Sequence, residues 1–115
     1  ILSLMQSTTI KGLAHITGGG ITENIPRVLQ GAIDAEIDTS SWSRGPVFDW
    51  LAEIGGIKIA EMRRTFNCGV GMVVIVDANN ANTAIRQLNE SGESAWQIGR
   101  IVDADPATAR AVRYI

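Results

Sequence analysis

The sequence predicts a single α/β (mixed α+β) domain spanning residues 1–115, a mixed β-sheet with packed helices. Three observations carry this reading. A chain of 115 residues with 45% hydrophobic and 19% charged residues holds one core and no second domain. Ile33-Asp34-Ala35-Glu36-Ile37-Asp38 alternates strictly, as a strand with one wet face does, and Val70 to Val76 is an almost unbroken β-branched apolar run. Between them, Val47, Trp50, Leu51 and Ile54 fall at the i, i+3, i+4, i+7 spacing of one helix face.

The elements follow in order. Ile1 to Met5 reads as the end of an apolar helix. Because Ile1 is not a start methionine, the chain is expected to be a fragment of a longer protein. Ile10 to Thr17 is short, apolar and bounded by glycine, hence a strand. Gly18 to Gly20 turn the chain into a helix over Glu23 to Leu29, where Pro26 sits in a first turn whose backbone donors are unused. After the Ile33–Asp38 strand, Pro46 opens a helix that Gly55-Gly56 ends with a left-handed cap. Ile59, Met62 and Phe66 mark a shorter helix. Val70 to Val76 is expected to be the central strand, covered on both faces. Ala81, Ala84, Ile85 and Leu88 form a helix stopped at Gly92. Ala95 to Val102 is a strand, Asp103 to Thr108 a turn and Ala111 to Ile115 a last strand.

Composition excludes several functions. Ten Lys and Arg against twelve Asp and Glu give a net charge of −2, which argues against a nucleic-acid binder. No apolar run approaches the ~18 residues of a membrane span, and no signal-peptide pattern opens the chain. One Cys and one His exclude an internal disulfide and a protein-only zinc finger, so no metal site is expected. The expected setting is the cytoplasm.

Two segments carry potential chemistry. In His15-Ile16-Thr17-Gly18-Gly19-Gly20 a strand runs through a glycine turn into a helix start carrying Asn24 and Arg27. Such an arrangement cradles phosphate with backbone N–H groups, a Thr hydroxyl and a guanidinium. It matches neither a Walker A loop nor the spaced dinucleotide fingerprint. The other reading is a tight turn whose glycines only permit positive φ, and the sequence leaves both open. The second segment, Thr65-Phe66-Asn67-Cys68-Gly69-Val70-Gly71-Met72, places Gly69 and Gly71 on one strand face beside Asn67. That suits close approach of a ligand, or a β-bulge. His15 is the one candidate for catalysis, although a hydrogen-bonded structural histidine is the leading reading. Cys68 reads as a small buried hydrophobe rather than a nucleophile. Trp42, Trp50 and Trp96 are expected as core or interface anchors, Arg63 and Arg64 as solvent-facing. Asp34, Glu36 and Asp38 are expected as a solvated strand face.

The same segments carry a resemblance. Gly12 to Gly20, continued by Glu23 to Leu29, closely resembles the C-terminal domain of aminoimidazole ribonucleotide synthetase, also called phosphoribosylformylglycinamidine cyclo-ligase. The likeness continues at Ser41-Trp42, Pro46 to Leu51, Arg64 to Met72 and Gly92 to Gly99, in one order along nearly the whole chain. It implies ATP-dependent closure of formylglycinamidine ribonucleotide to aminoimidazole ribonucleotide in purine synthesis, with ADP and phosphate released. It further implies ATP and Mg2+ held mostly by an N-terminal domain outside this sequence, a homodimer, and a fragment inactive alone. Thr17, Gly18, Gly19, Gly20, Asn24, Arg27, Asn67, Gly69 and Gly71 are then the expected phosphate- or substrate-binding positions. Two alternatives remain: a non-catalytic binding or interaction domain of the same fold, and a related ATP-using enzyme such as formylglycinamidine ribonucleotide synthetase.

Overall fold

The computed structural model describes residues 1–107 and 111–115. Its strands are β1 (Ile10–His15), β2 (Ile33–Ile37), β3 (Met72–Val76), β4 (Gly99–Asp103) and β5 (Val112–Tyr114). Its helices are α1 (Leu2–Met5), α2 (Gly20–Asn24), α3 (Pro46–Gly55), α4 (Ile59–Thr65) and α5 (Ala81–Glu90), with 3-10 turns at Pro26–Val28 and Ala78–Asn80. The order of strands and helices is the one the periodicities predict, and the domain is mixed α/β.

The sheet arrangement departs from expectation. There are two small sheets: β1 pairs antiparallel with β3, while β2 lies between antiparallel β4 and parallel β5. The Val70–Val76 run is therefore not the centre of one mixed sheet. Among the described residues β3 has a single strand neighbour, and Met72 at its start is 44% exposed. An apolar run reports that a segment is shielded, not which strands flank it.

Both sheets turn one face onto a common core. Ala14 and Val73 from the first sheet meet Ala35, Ile37 and Val112 from the second, closed by Ile21 and Ile25 around α2. Ile25 and Met62 are fully buried, each contributing about 1.5–3 kcal/mol by leaving water. Strand β2 keeps the predicted alternation only in part. Glu36 is paired with Arg100 at 2.8 Å, but Asp34 is buried, accepts the Asp105 N–H at 3.3 Å and lies 3.7 Å from Arg113 Nε. The expected solvated position is thus an internal carboxylate tying β2 to β5 and the segment after β4.

Local signals place the helix ends. Pro46 is in the first turn of α3, and Gly56 caps it at φ 58°, ψ 31°. Gly92, at φ 91°, follows the end of α5. The helix expected over Glu23–Leu29 is displaced: α2 begins at Gly20, and a 3-10 turn starts at Pro26, whose ring cannot donate into a continuing α-helix. Ladder pairing in the expected Ala95–Val102 strand starts only at Gly99. Ala95 is held instead by Asn89, whose side chain donates to its carbonyl at 3.1 Å and accepts its N–H at 2.8 Å. The turn expected over Asp103–Thr108 ends on a residue outside the described set. The predicted apolar face of α3 forms but is not core: Val47, Trp50 and Ile54 are 65%, 57% and 67% exposed. Among the described residues no helix is long and apolar enough to cross a membrane.

Candidate functional site

Strand β1 delivers the chain into the glycine loop. Gly19 and Gly20 take φ values of 94° and 59°, and the Gly20 N–H closes the turn onto the Thr17 carbonyl at 2.9 Å. Each glycine is there for a different reason. A Cβ on Gly20 would collide with the Arg63 carbonyl and lie 2.6 Å from that of Phe66, so glycine lets α2 lie against the end of α4. A Cβ on Gly19 would meet only the Glu23 side chain, at 2.5 Å from Oε2, so its positive φ is the stronger constraint. Around Gly18 the space is open.

Asn24 lies beneath this loop. It is buried, and its Nδ2 donates to the carbonyls of Gly20 (2.8 Å), Gly18 (3.2 Å) and Thr17 (3.4 Å). Arg27 in turn donates to Asn24 Oδ1 at 3.4 Å. Asn24 thus shapes the loop from inside, with Arg27 behind it. The loop's outer surface is backbone: the N–H groups of Gly18 and Gly19 have no partner among the described residues. Since α2 has five residues, any anion affinity rests on these N–H groups and not on a helix dipole.

The second segment folds as a tight turn. The Val70 N–H bonds the Asn67 carbonyl at 3.0 Å, and Asn67 Oδ1 accepts the Gly69 N–H at 3.0 Å. The central residues Cys68 and Gly69 sit at φ 52° and 92°, the left-handed pair of a type I′ turn. Trp42 Nε1 donates to the Cys68 carbonyl at 3.0 Å and pins this unusual conformation. No sequence signal points to that bond, because 26 residues separate its ends. Asn67 and Gly69 therefore build the turn, while Gly71 has open space where a side chain would be.

Tertiary structure brings the two segments together. The Ile16 N–H bonds the Gly71 carbonyl at 3.0 Å, one step beyond the His15–Met72 pair of the β1–β3 ladder. Thr17 and Gly18 consequently emerge beside Gly71 at one end of the β1–β3 ladder. His15 is exposed and has no hydrogen-bond partner among the described residues, which overturns its reading as a bonded structural histidine. Arg64 is solvent-facing as expected, 3.6 Å from Glu23. Arg63 is not: it is half-buried, its guanidinium 4.2 Å above the Tyr114 ring.

Electrostatics makes Cys68 a poor nucleophile. Burial pushes its thiol above the usual range, outweighing the nearby Arg44 and Arg63 cations. The thiol donates to the Met62 carbonyl at 3.5 Å. Burial also raises the Tyr114 phenol, opposed by its 2.8 Å hydrogen bond with Thr22 and by Arg63. Among the described residues no group of three or more His, Cys, Asp or Glu side chains is placed to hold a metal ion.

Comparison with known proteins adds to this geometry. The family model described as AIR synthase related protein, C-terminal domain, matches residues 1–111. The phosphoribosylformylglycinamidine cyclo-ligase of Burkholderia lata is 54% identical over 101 residues, covering 88% of this chain and 29% of the relative. The enzyme of the same name from Burkholderia vietnamiensis strain G4 is likewise 54% identical over the same shares. That of Burkholderia mallei strain SAVP1 is 52% identical over 101 residues. The chain thus spans under a third of the length of the curated relatives it matches.

Proposed function

Because the chain belongs to the family of AIR synthase related proteins, as their C-terminal domain, we propose that it is the substrate-cradling part of an ATP-dependent cyclo-ligase. In the longer protein this enzyme closes formylglycinamidine ribonucleotide to aminoimidazole ribonucleotide. The formyl amide oxygen takes the terminal phosphoryl group of ATP, leaving ADP. The amidine nitrogen then attacks the activated carbon, its proton is lost and phosphate departs with the former amide oxygen.

One observation carries the reading: the Ile16–Gly71 bond joins both glycine segments while the N–H groups of Gly18 and Gly19 have no partner among the described residues. Ring closure of this kind needs positioning and charge stabilisation more than a protein nucleophile. Two adjacent backbone donors suit the oxygens of a phosphate, either the substrate's ribose phosphate or the phosphoryl group in transfer. Asn24 holds the donors in place by fixing the three carbonyls behind them. Thr17 supplies an exposed hydroxyl beside them. A thiol kept protonated by burial fits a site in which Cys68 does not react.

ATP with Mg2+ supplies the phosphoryl group. The described residues offer no cluster for the metal, so the reading places it on the N-terminal part of the longer protein, in a cytoplasmic homodimer. His15, exposed at the edge of the site, is the remaining candidate for accepting the proton. The test is calorimetry of the 115-residue chain with formylglycinamidine ribonucleotide and with ATP, added separately. Substrate is expected to bind and ATP to bind far more weakly, with no turnover. Absence of substrate heat would remove the basis for the reading, and so would substrate binding left undisturbed by Gly18→Val.

A further inference from the structure

The segment before α3, helix α4 and the Asn67–Val70 turn border a cavity of about 460 Å³ whose walls include Ser43, Arg44, Arg63 and Cys68. Its charge is unbalanced. Two guanidinium groups line it against the single carboxylate of Asp49, which is exposed and takes one corner of the Arg44 fork, 2.7 Å from Nη2. The Arg63 side chain has no carboxylate or hydrogen-bond partner among the described residues. Its guanidinium lies 4.2 Å above the Tyr114 ring. Stacking of this kind uses the face of the plane and leaves the N–H groups at its edge free. Ser43 accepts the Gly45 N–H at 3.4 Å, and its own O–H has no acceptor among the described residues. The cavity is rich in donors and poor in acceptors.

The fold holds these donors in place before any ligand arrives. Trp42 bonds the Cys68 carbonyl at 3.0 Å, and a Cβ on Gly69 would stand 3.3 Å from the Arg44 carbonyl, so the backbone carrying Ser43 and Arg44 packs on the turn. On the opposite wall the Thr22 hydroxyl donates to the Arg63 carbonyl at 3.5 Å and shares a 2.8 Å bond with the Tyr114 hydroxyl, which fixes the ring beneath the guanidinium. From these two positions both cations act on the Cys68 thiol, so they stand around one point. A guanidinium held in this way loses little freedom on binding, and its bonds to an oxyanion are charge-assisted. Three donor groups from different walls match the three free oxygens of a phosphate monoester better than the two of a carboxylate. We infer that Arg44, Arg63 and Ser43 form a second anion site, which binds a phosphate group as inorganic phosphate or as a phosphate monoester. It is built from other residues than the Gly18 and Gly19 N–H groups, and it does not rest on the ring-closure reading.

The test titrates inorganic phosphate, and separately ribose 5-phosphate, into the 115-residue chain at low ionic strength. Nitrogen-15 spectra follow the Nε–H groups of Arg44 and Arg63 and the amides of Ser43 and Gly18. The signals of Arg44, Arg63 and Ser43 shift together and saturate with a dissociation constant on the order of 1 mM, which added sodium chloride raises several-fold. Arg44→Gln and Arg63→Gln each weaken binding by about 10-fold or more, whereas Gly18→Val leaves it within about 2-fold. Arg63→Gln also loses the stack on Tyr114, so melting curves are recorded alongside, and Arg44→Gln decides the matter if Arg63→Gln unfolds. Tighter binding of ribose 5-phosphate assigns the site to a monoester, and equal affinities assign it to the phosphate group alone. Shifts confined to Gly18 overturn the inference and leave the glycine-loop reading standing. The last arm is a chimera in which the chain replaces the matching 101-residue part of the Burkholderia lata enzyme. Phosphate that shifts these signals in the isolated chain but not in the chimera overturns the inference as well, since the occupant is then an acidic side chain of the longer protein.

Discussion

Replacing Gly20 with alanine separates architecture from ligand contact within a single loop. The new methyl group has two costs. It holds a non-glycine residue at φ 59°, worth about 1–2 kcal/mol. It also drives a Cβ into the Arg63 carbonyl and to 2.6 Å from the Phe66 carbonyl. These are backbone atoms at the end of α4, not flexible side-chain tips, so α2 and α4 must part; overpacking of this kind costs roughly 1–3 kcal/mol. The sum is roughly 2–5 kcal/mol, against a total of roughly 6–17 kcal/mol for 115 residues. At about 4–8 °C per kcal/mol, the melting temperature falls by about 8 °C or more. Gly18→Ala is the control, since nothing lies within 4 Å of its Cβ position; its melting temperature stays within about 3 °C of the parent. Thermal and urea melts followed by circular dichroism read both variants. A Gly20→Ala protein that melts like the parent, or a Gly18→Ala protein that falls as far, would refute the assignment of distinct roles.

Asn24 gives an ordering test: Asn24→Ala loses the bonds to three loop carbonyls at about 1–3 kcal/mol, and Asn24→Asp is worse at neutral pH because a carboxylate then faces those carbonyls. A urea midpoint for Asn24→Asp equal to wild type sinks it. Cys68, buried and held as a thiol, is expected to react with iodoacetamide at pH 7.5 at least 100-fold more slowly than in the urea-unfolded chain; equal rates would contradict the burial. Alkaline pH should weaken the fold. Both Cys68 and Tyr114 have folded-state pKa values raised by burial, so the folded chain retains protons that the unfolded chain releases above pH about 8.5 for the thiol and about 10 for the phenol. The stability present below those values is lost as pH rises through the folded ones. The urea midpoint of wild type therefore drops more steeply from pH 8 to 11 than that of a Cys68→Ala/Tyr114→Phe variant, and parallel profiles would dismiss the linkage.

The sequence by itself determined what depends on near neighbours. Pro46 and Gly56 bound α3, Gly92 follows the end of α5, and the alternation through Ile33–Ile37 places Ala35 and Ile37 inward, because φ restrictions and side-chain periodicity act over a few residues. The quoted motif blocks likewise pointed to the family that the comparisons report. Tertiary structure alone decided the rest. Val70 to Val76 reads the same whether it lies at the centre of a large sheet or in a two-stranded one, since an apolar run records shielding and not pairing. The stripe Val47, Trp50 and Ile54 forms as a helix face without a partner among the described residues, since amphipathicity says nothing of what it meets. The expected binding loop proved to be two structures in contact: Asn24 grips the carbonyls of residues 17, 18 and 20, and Gly71 reaches it through Ile16. That contact spans more than fifty residues of chain, and no local pattern encodes the closure of so long a loop; it follows only when β1 and β3 pair edge to edge over the assembled core.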